Sequence, residues 1–333
     1  MTTTRRAFLQ SVAVGTFGVL TAAAMRSVWG DSIAQAPETF KGSEVFDRVL
    51  KKALAEKWEA LPIGQCMGKV AKELEGTPYV AFTLELDKDK EFCSVNLTGL
   101  DCVTFFEDTL NFARMLKKGG RTPQDLLAEV TFTRYRGGKL GDFTSRLHYT
   151  TDWFYDNEKK GVVKLLAAEL PGAEDFTQPV GIMSEKPKNY RQLKAHPELV
   201  PVIARFEDQI NSRKLKYIPL AALKDTQSQL QTGDIVGITT TEKGIDIAHT
   251  GLVFVDEKNV PHFMDASSSK SKMKVMLEKG PISEDLAYGK NTGAMFARPL
   301  EPVRVGAAWP HASGTAGPTQ CWLRNFRGRS ETS

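Results

Sequence analysis

A cysteine acts as a nucleophile when its thiolate is stabilised, and a helix N-terminus beside the sulfur together with a nearby imidazole supplies that stabilisation. Cys102 has the first of these. It follows Gly99-Leu100-Asp101 and opens a stretch up to Lys117 in which Phe106, Leu110 and Ala113 form one stripe, so the spacing predicts a helix beginning at the cysteine. Asp101 fits as the N-cap, although its charge opposes ionisation of the adjacent thiol and an imidazolium must outweigh it. Of five histidines, His249 in Ile247-Ala248-His249-Thr250-Gly251 is the best placed, near the start of a strand pattern. A third group must hold the ring nitrogen that faces away from sulfur. Asp265 and His262 on the following strand both have the right chemistry, and a period of two sends them to opposite faces, so only one can reach His249. Asp265 is preferred, with His262 as the rival. The chemistry of such a set is nucleophilic attack by a thiolate with a proton carried by the imidazole.

These residues need elements to carry them. A helix is expected over residues 43–61, with Val45, Phe46, Val49, Leu50, Ala53, Leu54 and Trp58 on one side. A second has Ile63, Cys66, Met67, Val70 and Leu74 at helical spacing, which makes Cys66 a small core residue, and it stops at Gly76-Thr77-Pro78. Strands are expected over residues 79–84 and 92–97, the latter placing Cys93 in alternation with Val95 and Leu97. Residues 119–224 read mostly as helix and loop, with Thr122 as a cap before Pro123 and an apolar stripe through Leu199, Val202, Ile203, Phe206 and Ile210. The final third changes period: residues 234–240, 247–255, 261–265, 273–276 and 294–299 look like short strands between polar turns. Helices first and antiparallel strands later is an α+β plan.

The ordered set Gly76-Thr77-Pro78-Tyr79, Asp101-Cys102, Gly233-Asp234-Ile235-Val236, His249-Thr250-Gly251 and Asp265-Ala266-Ser267-Ser268 resembles the papain-like NlpC superfamily of cell-wall cysteine hydrolases. The likeness is greatest to its N-acetylmuramoyl-L-alanine amidase-like group, extends through Ser145-Arg146-Leu147-His148-Tyr149, and spans roughly residues 60–300. The resemblance implies a catalytic cysteine at a helix N-terminus packed on an antiparallel sheet. It further implies that Cys102 attacks an amide carbonyl, that His249 carries the proton to the leaving amine, and that Asp265 orients the imidazole, at a position where relatives often carry histidine. Tyr79 would add its phenol to the Cys102 backbone N–H in an oxyanion hole, or be a half-buried strand aromatic. Asp101 would help bind the substrate amine, and Arg146 with His148 would contact substrate or pack as a pair. Thr104 and Glu107 share the Cys102 helix and receive no role. The substrate class is peptidoglycan or muropeptides, cut between N-acetylmuramic acid and L-alanine. A stem-peptide endopeptidase, an acyltransferase and a catalytically silent wall-binding protein are the alternatives. The long interval between Cys102 and His249 implies a helical insertion at about residues 120–224 that limits which chains enter the groove.

The first residues pair Arg5-Arg6 with Phe8-Leu9 and then run without charge from Ser11 to Met25, which resembles a twin-arginine export signal. At about 15 residues that run is too short to span a bilayer comfortably, so no stable membrane anchor is expected. Small residues at Ser32, Ala34 and Ala36 offer cleavage points. The expected organisation is therefore a leader over residues 1–36, the hydrolase domain over 37–300, and a poorly ordered tail over 301–333 that contains Cys321. The expected compartment is periplasmic or otherwise extracytoplasmic, reached through the twin-arginine machinery. A formal net charge of +4 over 333 residues, with no basic run interleaved with aromatics, leaves no footprint for nucleic acid. No H-E-x-x-H, C-x-x-C, G-x-S-x-G, P-loop or dinucleotide glycine signature occurs, so neither a metal nor a cofactor is expected.

Overall fold

Residues 38–303 are described in the computed structural model; the expected leader, the tail from residue 304 and Cys321 lie outside the described residues. In chain order the elements are β1 (Phe40–Lys41), α1 (Ser43–Ala55), α2 (Ile63–Glu73), β2 (Val95–Asn96), α3 (Cys102–Lys118), α4 (Pro123–Arg134), α5 (Thr150–Lys159), β3 (Val163–Leu165), β4 (Glu174–Phe176), α6 (Ile182–Glu185), α7 (Arg191–Ala195), α8 (Val200–Asn211), β5 (Leu215–Pro219), α9 (Leu220–Thr226), β6 (Ile235–Thr240), β7 (Ile247–Val255), β8 (Pro261–Ser267), β9 (Lys274–Leu277), α10 (Ile282–Asp285) and β10 (Asn291–Pro299). An eight-stranded sheet has the order β4-β5-β10-β6-β7-β8-β9, with β3 also paired to β10. Its pairings are antiparallel.

Both faces of the central strands are covered, which is why β6 is buried at all six positions. Period two divides their side chains between two cores. Ile235, Leu252, Met264, Ala266, Met295 and Ala297 join a core with Phe46, Met67, Phe105 and Leu110 from α1, α2 and α3. Val236, Ile238, Val253, Phe263, Ala294 and Phe296 join another with Leu223, Ile282 and Leu286 from α9 and α10. The turn into β6 presses against α2: Gly233 has φ 92°, and a Cβ there would lie 2.5 Å from the Gly64 Cα.

The five late strands and the helices carrying Cys66 and Cys102 agree with the sequence expectation. Four segments differ. Of the strand expected over residues 92–97 only Val95–Asn96 pairs, parallel to β1. The first helix ends at Ala55, because Lys57 takes a left-handed φ of 55° and residues 58–60 form a separate 3-10 turn over buried Trp58. Residues 79–84 are not a strand: Tyr79 makes a single bridge to Leu100, and Phe82 turns the chain with φ 62°. Residues 120–224 are not wholly helical. They supply β3, β4 and β5 to the sheet and α4 against α3, while a third core of Phe143, Tyr149, Met183, Leu193, Ile203 and Ile210 holds the elaboration together. Strands of three to five residues show too little alternation to be read from a sequence.

Candidate active site

Cys102 is the first helical residue of α3. Asp101 caps the helix, its Oδ1 accepting from the Val103 N–H at 3.1 Å and the Thr104 N–H at 2.8 Å, while the Thr104 hydroxyl accepts from the Asp101 N–H at 2.9 Å. The cap satisfies the next two amides and leaves the Cys102 N–H as a donor beside its own sulfur. The second role considered for Asp101, binding an amine, would have to use the carboxylate while it serves this cap.

His249 and Asp265 come together by register. Leu252 pairs with Met264 and Val253 with Phe263, so the ladder sets Gly251 opposite Asp265, and His249 lies two residues further along the same face. His249 Nε2 donates to Asp265 Oδ2 at 2.6 Å. Cys102 is the other group that acts on the ring and raises it. Burial works against the charge on His249, but the Asp265 hydrogen bond and the hydrogen bond and charge of Cys102 outweigh it and raise the imidazole from 6.5 to about 10. The ring is thus held as imidazolium at neutral pH, poised to stabilise a thiolate. His262, the rival third group, faces away: Nδ1 meets the Gly280 carbonyl at 2.7 Å and Nε2 the Asp256 carboxylate at 3.2 Å. Asp265 is 3% exposed, and its Oδ1 has no hydrogen-bond partner among the described residues.

Tyr79 stands on the opposite flank. Its N–H donates to the Met273 carbonyl at 3.0 Å, and the Val80 N–H donates to the Leu100 carbonyl at 3.0 Å, which fastens this segment to the residues leading into Cys102. Burial first, then the charges of Cys102 and Asp101, push the Tyr79 phenol up to about 12. The phenol is therefore neutral at ordinary pH.

Arg146 and His148 are held elsewhere. Arg146 pairs with Glu85 at 3.0 Å and Glu91 at 3.4 Å and lies over the Phe143 ring. His148 Nε2 donates to the Phe143 carbonyl at 2.7 Å. Burial, and then the Arg146 charge, keep His148 well below its usual range and therefore neutral. None of these partners belongs to the group of Cys102, His249 and Asp265. Arg146 instead braces the chain that follows Tyr79, as do Arg191 on the Glu85 carbonyl at 3.1 Å, Gln192 on the Asp87 carbonyl at 3.2 Å and His196 on Asp89 at 3.1 Å. The elaboration between α5 and β5 thereby grips the loop beside the site.

The remaining described thiols are unlike Cys102. Cys66, Cys93 and Cys102 are all free, and burial pushes Cys66 up to about 12 and raises Cys93. Glu107, without an assigned role in the sequence reading, is a structural clamp: it accepts from Arg134 Nε at 2.7 Å and from the Trp153 indole at 2.8 Å, tying α3 to α4 and α5. Among the described residues no group of three or more metal-ligating side chains gathers, and no helix is long and apolar enough to cross a membrane.

A cleft of about 500 Å³ borders His249 and Asp265, with Phe263, Lys272, Asp285 and Tyr288 among its walls. The sequence did not point to Lys272, Asp285 or Tyr288, because they come from the turn before β9, the end of α10 and the bend after it, with no motif between them. A cleft of about 530 Å³ near Gln65 and Arg298 contains none of the chemistry-bearing residues.

The family model for AmiA-like, N-acetylmuramoyl-L-alanine amidase-like proteins matches residues 69–283. Among solved structures, an N-acetylmuramoyl-L-alanine amidase from Bacteroides uniformis is similar over 72% of this chain and 99% of its own, with 31% identity and a TM-score of 0.65. A Bacteroides fragilis protein provisionally assigned as a xylanase is similar over 68% and 98%, with 31% identity and a TM-score of 0.62. A Legionella pneumophila protein shares the fold over 78% and 95%, with 18% identity and a TM-score of 0.59. No curated protein matches the chain.

Proposed function

Because the chain belongs to the AmiA-like, N-acetylmuramoyl-L-alanine amidase-like family, we propose that it is an exported cysteine hydrolase of the papain-like NlpC type. It cuts an amide in peptidoglycan or muropeptides, preferentially between N-acetylmuramic acid and L-alanine. The observation that carries this reading is the line-up of Cys102 at a helix start with His249 and Asp265. The Cys102 sulfur attacks the carbonyl carbon while its N–H and the Tyr79 hydroxyl face the developing oxyanion. The C–N bond breaks as His249 gives its proton to the nitrogen, and the stem peptide leaves as a free amine. Water, losing a proton to His249, attacks the thioester, which releases the muramyl carboxylate and restores the thiol.

A glycosidase reading would require two carboxyl groups flanking the scissile bond, one as acid and one as nucleophile or base. Here the carboxylates of Asp265 and Asp101 are engaged, one by an imidazole and one as a helix cap, while the thiol and imidazole supply the groups of amide chemistry. The twin-arginine-like leader supports export to an extracytoplasmic compartment where such a substrate is found.

The test is mass spectrometry of defined muropeptides and of intact peptidoglycan after incubation with the mature protein and with its Cys102→Ala variant. Free stem peptide and unsubstituted amino sugar, absent with the variant, are expected. A cut inside the stem would make the protein an endopeptidase. Products joined to an added amine would make it an acyltransferase. The absence of any variant-dependent product would leave a wall-binding protein and overturn the reading.

A further inference from the structure

A thiol and an imidazole carried on different elements meet only if those elements are fixed against each other. Phe105 and Leu110 of α3 share a core with Leu252 of β7 and Met264 of β8, but apolar contact is non-directional and permits small slides. The strand is also least regular beside the base. Ile238 of β6 pairs with His249 and Thr239 with Ile247, so Ala248 is the extra residue of a β-bulge, a feature that re-aims neighbouring side chains. Asp246, one residue ahead of β7 and 3% exposed, holds that bulge. Its Oδ1 accepts from the Ile247 N–H at 2.8 Å, and its Oδ2 accepts from both the N–H and the hydroxyl of Thr151 at 2.7 Å. Thr151 is the second residue of α5, where an amide has no partner within the helix and a carboxylate complements the dipole. Two residues on, the Trp153 indole donates to Glu107 of α3 at 2.8 Å, and its ring meets Phe106 of α3 edge-on with centroids 5.0 Å apart. Gly237 of β6 leaves room for this contact: a Cβ there would lie 3.1 Å from both Phe154 of α5 and Ile247 of β7. Thr151 and Trp153 are 0% and 2% exposed, so water does not compete for their hydrogen bonds. One turn of α5 thus grips both the strand of His249 and the helix of Cys102.

We propose that Thr151 and Trp153 are positioning residues for the reaction: by holding Asp246 and Glu107 from one turn of α5, they set how squarely the Cys102 thiol and the His249 imidazole meet. The inference rests on the cysteine mechanism proposed above and adds to it two residues that act through others. It also gives the segment between the nucleophile and the base a part in the chemistry itself, beyond shaping the groove.

The experiment compares the mature wild-type protein with Thr151→Val, Thr151→Ser and Trp153→Phe, and with Asn157→Ala as the control. Asn157 donates to the Thr133 and Trp153 carbonyls at 2.9 Å from the other end of α5 and bonds neither Asp246 nor Glu107. Two readouts need no substrate: the titration midpoint of the His249 imidazole by NMR, and the rate at which iodoacetamide alkylates Cys102 at neutral pH, followed by mass spectrometry of its peptide. Against burial, Asp265 and Cys102 raise the ring to about 10, and a looser frame weakens the Cys102 share. Thr151→Val and Trp153→Phe are expected to lower the midpoint by about one unit and to slow alkylation severalfold. On a muropeptide they should reduce kcat about tenfold with KM within about twofold. Thr151→Ser, which keeps the hydroxyl, should restore all three readouts, and Asn157→Ala should match wild type in them even where it melts lower. A midpoint and an alkylation rate unchanged in both Thr151→Val and Trp153→Phe overturn the proposal. An equal shift in Asn157→Ala also overturns it, because any loosening of α5 would then suffice. Where Thr151→Val does not fold, Trp153→Phe decides on the same readouts. If the wild type cuts no muropeptide, the amidase reading fails, while the midpoint and the alkylation rate still decide the frame.

Discussion

Replacing Asp265 with Asn tests the part of the site on which the proton transfers depend. The side chain keeps its shape, but the charge-assisted hydrogen bond to His249 Nε2 becomes a neutral one and the carboxylate charge is gone, so both Asp265 contributions that raise the ring are weakened. The imidazole stands at about 10 against an ordinary 6.5, raised by the Asp265 hydrogen bond and by the hydrogen bond and charge of Cys102 against the opposing burial. If Asp265 supplies about half of that rise, its loss costs about 2.4 kcal/mol of ion-pair stability, and kcat/KM at neutral pH falls on the order of 50-fold. The alkaline limb of the pH profile, where His249 loses its proton, should move from about 10 toward 8. Rates of thiol alkylation by iodoacetamide should fall in parallel at neutral pH, because both report the thiolate and imidazolium pair. The assay is kcat/KM from pH 5 to 11 on a defined muropeptide, with His262→Asn alongside. An unmoved alkaline limb with a rate within about threefold of wild type would refute the reasoning, as would a His262→Asn profile that shifts in place of the Asp265 one.

Two further perturbations read the scaffold. Asp108 is buried within the Cys102 helix, its carboxyl raised to about 8 chiefly by burial, with both oxygens lacking a hydrogen-bond partner among the described residues. A folded pKa above the unfolded 3.8 means that stability is fully present below 3.8 and declines as pH rises toward 8. Asp108→Asn should therefore melt higher than wild type by a margin that grows between pH 5 and 8 and then levels off; a margin independent of pH would contradict this. At Gly251, opposite Asp265, an added Cβ would lie 2.5 Å from the Met264 carbonyl and 2.6 Å from the Phe263 ring, which leans on His249 with centroids 6.0 Å apart. Gly251→Val should cost about 1–3 kcal/mol of stability in a denaturant melt and reduce kcat by displacing Phe263 and the imidazole; unchanged kcat in the folded variant would show that the ring is not held this way.

The parts of the site that were legible in the sequence are those governed by local rules. Asp101 before a helical stripe reads as a cap because a short carboxylate satisfies free amides, and it does so here. Alternation over residues 261–265 separates His262 from Asp265, and the register then brings only the latter to His249. What escaped depends on partners distant in the chain. Residues 79–84 have a strand composition, yet their amides are taken by Leu100 and Met273, and the next residues are pulled aside by Arg146, Arg191 and Gln192. Arg146 and His148, left open between substrate contact and packing, are engaged by Glu85, Glu91 and the Phe143 carbonyl, partners far away in the chain or set by local turns. The cleft walls at Lys272, Asp285 and Tyr288 meet only after β8, β9 and α10 have folded against one another.

The central claim is that Cys102 carries the acyl group. It is tested most directly by rapid acid quench of the mature protein with a muropeptide in excess, followed by intact and peptide mass spectrometry. The account predicts a transient adduct with the mass of the muramyl acyl moiety on the peptide containing Cys102, discharged by water and absent from Cys102→Ala. Full product release by Cys102→Ala, or an adduct on Cys66 or Cys93, would contradict it.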